Sequence, residues 1–158
     1  MIKRDSELVL VLMIKQLTNK KHLNAAYRQV YRNKGAAGVD DVQITELKST
    51  LQAHGKQYTQ QIEMEGYQVS PILGVEIPKS NGKKRLLGIP TVVDRVFQQV
   101  LHQVLQPVFE PDFQNHSYGF RPQRNTHQAI AQSLDNINSG YQNIVDIDLK
   151  SFFDEVEH

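Results

Sequence analysis

Ile72-Leu73-Gly74-Val75-Glu76-Ile77, then Pro78-Lys79-Ser80-Asn81-Gly82-Lys83-Lys84, then Arg85-Leu86-Leu87-Gly88-Ile89-Pro90, is the stretch on which the fold class turns. Two short apolar segments flank a polar run that contains Asn-Gly, a pair suited to the positive φ angles of a tight hairpin turn. A β-hairpin is expected, with Pro90 ending its second strand because proline offers no N–H to a ladder. Lys79, Lys83, Lys84 and Arg85 lie within seven residues and have no acid between them. Lys79 and Arg85 flank the turn, where a lysine point charge and a two-pronged arginine can converge on a phosphate. The alternative is a solvated tip whose lysines discourage edge pairing.

Around the hairpin the pattern is helical, which makes the class α+β. Leu23, Ala26, Tyr27, Val30 and Tyr31 form one apolar stripe of a helix over residues 21–33, leaving Lys20, Lys21, Arg28 and Arg32 largely outside it. Residues 5–18 read as a helix before it. Gly35-Ala36-Ala37-Gly38 breaks the pattern with residues that tolerate positive φ or close backbone approach. A third helix is expected from Ile44 to about Glu65, interrupted near Gly55. Thr91 can cap a helix carrying Val93, Val96, Val100 and Val104 that ends near Pro107. After a loop, a helix from about Thr126 to Asn138 has Asn125 as N-cap and Gly140 past its end. Ile144 to Leu149 reads as a last strand and Asp146 to His158 as the start of an element rather than a tail, so the chain is expected to continue.

A length of 158 residues suits about one domain, and the absence of cysteine excludes disulfides and a thiolate zinc site. With 39% hydrophobic and 22% charged residues, intrinsic disorder is not expected. A net charge of +1, taken alone, argues against a nucleic-acid partner. By region it conceals a gradient: residues 1–34 hold eight basic and two acidic residues, whereas residues 135–158 hold one basic and six acidic. The apolar run Leu8 to Ile14 is too short to span a bilayer and lacks a cleavage site. No membrane association is expected, and a cytoplasmic location is the default.

Strand alternation would put Asp146 and Asp148 on one face, where a carboxylate can hold Mg²⁺. The alternative is an aspartate-rich strand end capping the next turn. Gly38-Val39-Asp40-Asp41 imitates a paired-aspartate motif, but no apolar strand precedes it, so turn formation and helix capping are expected there. The six histidines lack His-Glu-x-x-His spacing. In His116-Ser117-Tyr118-Gly119-Phe120-Arg121-Pro122 the two aromatics are expected to be buried against the core, with Arg121 and Arg124 open for phosphate.

The order of these pieces is more specific than any one of them. Arg32-Asn33-Lys34-Gly35-Ala36-Ala37-Gly38-Val39-Asp40, the Ile77 to Pro90 hairpin, Asp94-Arg95, Ser117-Tyr118-Gly119-Phe120-Arg121-Pro122 and Asp148-Leu149-Lys150-Ser151-Phe152-Phe153-Asp154 closely resemble bacterial group II intron reverse transcriptases, also called maturases. The resemblance runs from about residue 20 to the end. It implies part of a right-hand polymerase: an N-terminal helical extension over residues 1–35, helix-rich fingers with a basic hairpin over 36–140, and the first palm strand within 141–158.

The resemblance also assigns roles. Asp148 would be the catalytic aspartate and, with the Leu149 carbonyl, a ligand of Mg²⁺. Lys79 and Arg85 would contact the triphosphate of the incoming dNTP, and Phe153 would reject a ribose 2′-hydroxyl. Lys83, Lys84, Arg95, Arg121 and Arg124 join the expected RNA contacts. The partners implied are template or intron RNA, a DNA primer and dNTP, in a bacterial cytoplasm. The family's second catalytic motif, Tyr-Ala-Asp-Asp, does not occur in this sequence. The parent is therefore expected to be an RNA-directed DNA polymerase and these 158 residues inactive by themselves. The alternative function is an RNA-binding splicing cofactor, with Lys20, Lys21, Arg28, Arg32 and Lys34 on intron phosphates. An unpaired palm edge is expected to favour self-association.

Overall fold

A computed structural model describes residues 13–80 and 82–149, together with Phe152 and Val156. It divides into two compact units, Met1–Pro111 and Asp112–His158. The first contains α1 (Lys20–Asn33), α2 (Leu47–Glu63), β1 (Leu73–Pro78), β2 (Lys84–Ile89) and α3 (Val92–Phe109). Residues 13–17 are also helical; the rest of the helix expected over 5–18 lies outside the described residues, apart from a turn at Thr18. In the second unit, α4 (Thr126–Asn138) is the one regular helix among the described residues.

The core of the first unit is built on α3. Val92, Val93, Val96, Phe97 and Val100 are buried on its N-terminal half and meet Ala26 and Val30 of α1 and Leu47 of α2. Removing each such valine side chain from water contributes about 1.5–3 kcal/mol. Leu23, Tyr27, Leu51, Tyr58 and Ile62 pack partly against this cluster. The stripe read in α1 therefore faces inward, although Tyr31 at its margin is 46% exposed.

Helix ends obey local side-chain chemistry. The Asn19 side chain accepts from Lys21 N at the start of α1, and Thr91 accepts from Asp94 N at the start of α3. Asn125 and Gln128 make a reciprocal capping box on α4, and Gly140 takes φ +95° beyond its end.

Three expectations are corrected, and the end of α3 near Pro107 is borne out. Helix α2 starts at Leu47, not Ile44, and passes through Gly55 unbroken; a helical glycine costs only about 1 kcal/mol, which the packed stripe offsets. Asp40 and Asp41 form a turn, with Asp41 N donating to Gly38 O and Val42 N to Asp40 Oδ1, but they do not cap α2, whose N-cap is Glu46. Helix α3 runs through Pro107 and ends at Phe109. Residues 141–149 belong to no helix or strand. No other strand of the described chain pairs with them, and Ile144, Val145 and Ile147 are 87%, 81% and 82% exposed. An extended run without a ladder partner leaves its N–H and C=O groups to solvent, and the edge expected to drive self-association is not formed among the described residues.

The hairpin matches the reading closely. β1 and β2 pair antiparallel, with Leu73 opposite Ile89, Val75 opposite Leu87, Ile77 opposite Arg85 and Pro78 opposite Lys84. Lys79 N donates to Lys83 O and Gly82 N to Lys79 O. That pairing leaves one residue more in the connection than a two-residue Asn-Gly turn, with Gly82 at φ +77°. Asn81 lies outside the described residues.

Candidate nucleotide and nucleic-acid interface

The register sorts the tip cations by face. Side chains alternate along a strand, so Arg85 shares a face with Ile77, and the Lys79–Lys83 pair continues that face beyond the ladder. Lys84 stands on the other face, where its Nζ meets Glu76 Oε2 at 2.5 Å. A sequence reading that saw no acid between the cations missed this cross-strand partner. Both ends of that ion pair are well exposed, so it adds little to stability.

The feet of the hairpin are held by one buried carboxylate. Asp94, 3% exposed, accepts from Tyr67 Oη at 2.7 Å, from Ser70 N at 3.1 Å and from Thr91 Oγ1 at 2.7 Å. The Tyr67 ring packs edge-on against Phe97, at 5.0 Å between centroids, and against Tyr58 at 6.2 Å. Burial chiefly, then the hydrogen bond to Asp94 and its charge, push the Tyr67 hydroxyl far above the ordinary tyrosine range. The role of Asp94 is nearly silent in the sequence. Its only local signal was Thr91 three residues ahead, as in a capping box.

The Gly35 to Gly38 break seats against the same helix start. A Cβ on Gly38 would stand 2.7 Å from Thr91 Cα, and Gly35 takes φ +110° beside the Arg95 guanidinium. Arg95 donates to Ala36 O at 2.5 Å, and burial lowers its pKa, opposed by the charge of Asp40. Arg95 thus braces this loop inside the chain.

Arg121 is likewise engaged: it donates to Gln114 O at 2.7 Å and Ser117 O at 3.0 Å and lies over the Phe113 ring. Arg124 lies over Tyr118 at 5.6 Å. Tyr118 is only half-buried and belongs to no buried cluster among the described residues, and Phe120 is fully exposed with φ +55°. Its expected burial is corrected: in that left-handed backbone the ring is carried out from the loop.

On α1, Lys20, Lys21, Arg28 and Arg32 are exposed, as is Lys34 at its C-cap; Arg32 donates to Gln29. Lys20 also lines a cavity of about 710 Å³ between α1, α2 and α3, where Lys48 and Lys56 join it above Leu23, Tyr27 and Phe97. Lys48 and Lys56 were not singled out in the sequence, because they sit far from α1 along the chain.

Asp146, Asp148 and Leu149 are exposed on the irregular segment. Their oxygens have the hard donor character Mg²⁺ requires, yet among the described residues no three His, Cys, Asp or Glu side chains are grouped to hold a metal ion. These residues do not by themselves make a coordination sphere. Phe153 lies outside the described residues.

Residues 77–158, from the end of β1 onward, match the family described as reverse transcriptase (RNA-dependent DNA polymerase). The chain belongs to that family. It is 36% identical over 160 aligned residues to protein YkfC of Escherichia coli K12, covering 98% of this chain and 42% of that one. It is 34% identical over 137 residues to the group II intron-encoded protein LtrA of Lactococcus lactis, covering 84% of this chain and 22% of that one. The likeness to group II intron reverse transcriptases and the α+β class are borne out. The chain spans less than half the length of either relative. No helix among the described residues is long and apolar enough to cross a membrane.

Proposed function

We propose that this chain supplies the nucleotide-gripping and template-binding front of an RNA-directed DNA polymerase of the group II intron type. The observation that carries the reading is the hairpin register, in which Arg85 and the Lys79–Lys83 pair extend one face within the family match. Lys79 and Arg85 bind the triphosphate of a dNTP, the arginine through two parallel N–H donors. Transfer of the nucleotide to a primer 3′ oxygen puts negative charge on the departing pyrophosphate, and cations fixed beforehand stabilise it at little reorganisation cost. Mg²⁺, when bound, neutralises phosphate charge. The Asp148 carboxylate and Leu149 carbonyl would give it oxygen donors, as part of a larger ligand set. Phe153 acts as the steric gate against a 2′-hydroxyl, and Lys83 and Arg124 lie on template phosphates. Arg95 and Arg121, committed to backbone carbonyls, are assigned to holding loops.

The test is primer extension on an RNA template by a polypeptide that carries this sequence together with a Tyr-Ala-Asp-Asp motif. Extension is expected to need Mg²⁺ and to be abolished by Asp148→Ala, whereas these 158 residues alone are expected to be inactive. Undiminished extension by the Asp148→Ala variant would refute the assignment.

A second reading is favoured by the lysines around the α1–α2–α3 cavity. Lys20, Lys48 and Lys56, with Lys21, Arg28, Arg32 and Lys34, grip structured intron RNA as a splicing cofactor does. The two readings rest on different residues and are compatible.

A further inference from the structure

We propose that Asp94 is a positioning residue that sets the pitch of the cationic hairpin by clamping both of its feet to the first turn of α3. The consequence for substrate rests on the reading of the hairpin as the nucleotide grip. The geometry of the clamp stands apart from that reading.

A single oxygen, Oδ2 of Asp94, accepts from Ser70 N, three residues ahead of β1, and from Thr91 Oγ1, two residues past β2. The other oxygen accepts from Tyr67, whose ring is wedged against Phe97 and Tyr58. A helix cap alone needs only the Thr91 exchange. The two donors from residues 67 and 70 belong to the opposite foot, so the carboxylate joins the chain leading into the hairpin to the chain leaving it.

Among the described residues the strands themselves add little buried surface to fix the pitch. Along the strands only Ile77 and Ile89 are half-buried, and Leu86 is 75% exposed. A six-residue strand is a lever of about 20 Å at about 3.4 Å per residue. A 10° swing at its foot would carry the tip by roughly 3.5 Å, more than the tolerance of a hydrogen bond. Lys79 and Arg85 ride at the end of that lever, so their aim depends on a group far from the phosphates.

The chain contains no cysteine, so Ser80→Cys at the tip and His102→Cys on α3 accept spin labels, and pulsed dipolar spectroscopy reads the distance between them. With Asp94 present the distance distribution is expected to be single and narrow. In Asp94→Ala it is expected to widen at least twofold, with dATP affinity at least tenfold weaker and helical circular dichroism retained. Asp94→Asn, which keeps an acceptor for Ser70 and Thr91, is expected to recover most of both. If Asp94→Ala does not fold, Tyr67→Phe, which removes one donor, carries the comparison and is expected to give a smaller widening.

An unchanged width would overturn the clamp, and a widened one with dATP affinity within twofold would overturn its role in positioning. Arg85→Ala separates the underlying reading: it is expected to weaken dATP binding with the label distance unchanged. Arg85→Ala with full dATP affinity would overturn the nucleotide-grip reading, and the label distances would still decide whether Asp94 holds the hairpin.

Discussion

Tyr67 Oη donates to Oδ1 of Asp94 at 2.7 Å although the two residues are 27 positions apart, and the bond ties the chain ahead of the hairpin to the helix behind it. Because the tyrosine is itself buried, and is further hydrogen-bonded to a charged acceptor, its proton is held more tightly in the folded chain than in the unfolded one.

That difference sets an alkaline limit on stability. Tyrosine in an unfolded chain titrates near pH ~10, so above that pH unfolding releases a proton that folding retains. The stabilisation from Tyr67 is whole below that pH and is lost as pH rises beyond it. Urea unfolding from about pH 8 to 11 should show a decline above about pH 10 that is shallower in Tyr67→Phe. The variant should also be less stable at neutral pH by about 1–3 kcal/mol, since one carboxylate oxygen loses its donor. Identical alkaline slopes would contradict this.

Two glycine substitutions should move stability in opposite directions. In Gly38→Ala the new Cβ would stand 2.7 and 2.8 Å from the Thr91 Cα and N, both backbone atoms that cannot swing aside. The expected cost is about 1–3 kcal/mol, as for overpacking. Gly55 lies within α2 with nothing near its missing Cβ, so Gly55→Ala should stabilise by about 0.5–1 kcal/mol. Denaturant midpoints measure both.

The RNA-binding reading makes an ionic-strength prediction. Each phosphate contact contributes about 0.7 to the slope of log affinity against log salt for single strands. Lys20→Ala, Lys48→Ala and Lys56→Ala combined should lower that slope by about 2 and weaken binding with little regard to sequence. An unchanged slope would remove these lysines from the RNA contact.

What was legible in the sequence was local. The hairpin, the Thr91 and Asn125 caps and the inward stripe of α1 each rest on residues close together in the chain. The Asp94 clamp was not legible, because its donors Tyr67 and Ser70 come from 27 and 24 positions away. The Glu76 partner of Lys84 is a matter of register, since it lies diagonally across the hairpin on the same face. The strand expected over Ile144 to Leu149 shows the reverse error: an apolar run has strand propensity, but a strand also requires a neighbour to complete its hydrogen bonds. Phe120 was assigned to the core on apolarity alone, and its left-handed backbone turned it outward.

The central claim, that one face of the hairpin grips a triphosphate, is tested most directly by titrating the chain with dATP and comparing substitutions at adjacent positions. Arg85→Ala should lose at least about tenfold in affinity, the scale of a hydrogen bond to a charged group. Lys84→Ala, on the opposite face and paired to Glu76, should stay within about twofold, as expected for an exposed ion pair. Equal losses at the two positions, or none at Arg85, would contradict the account.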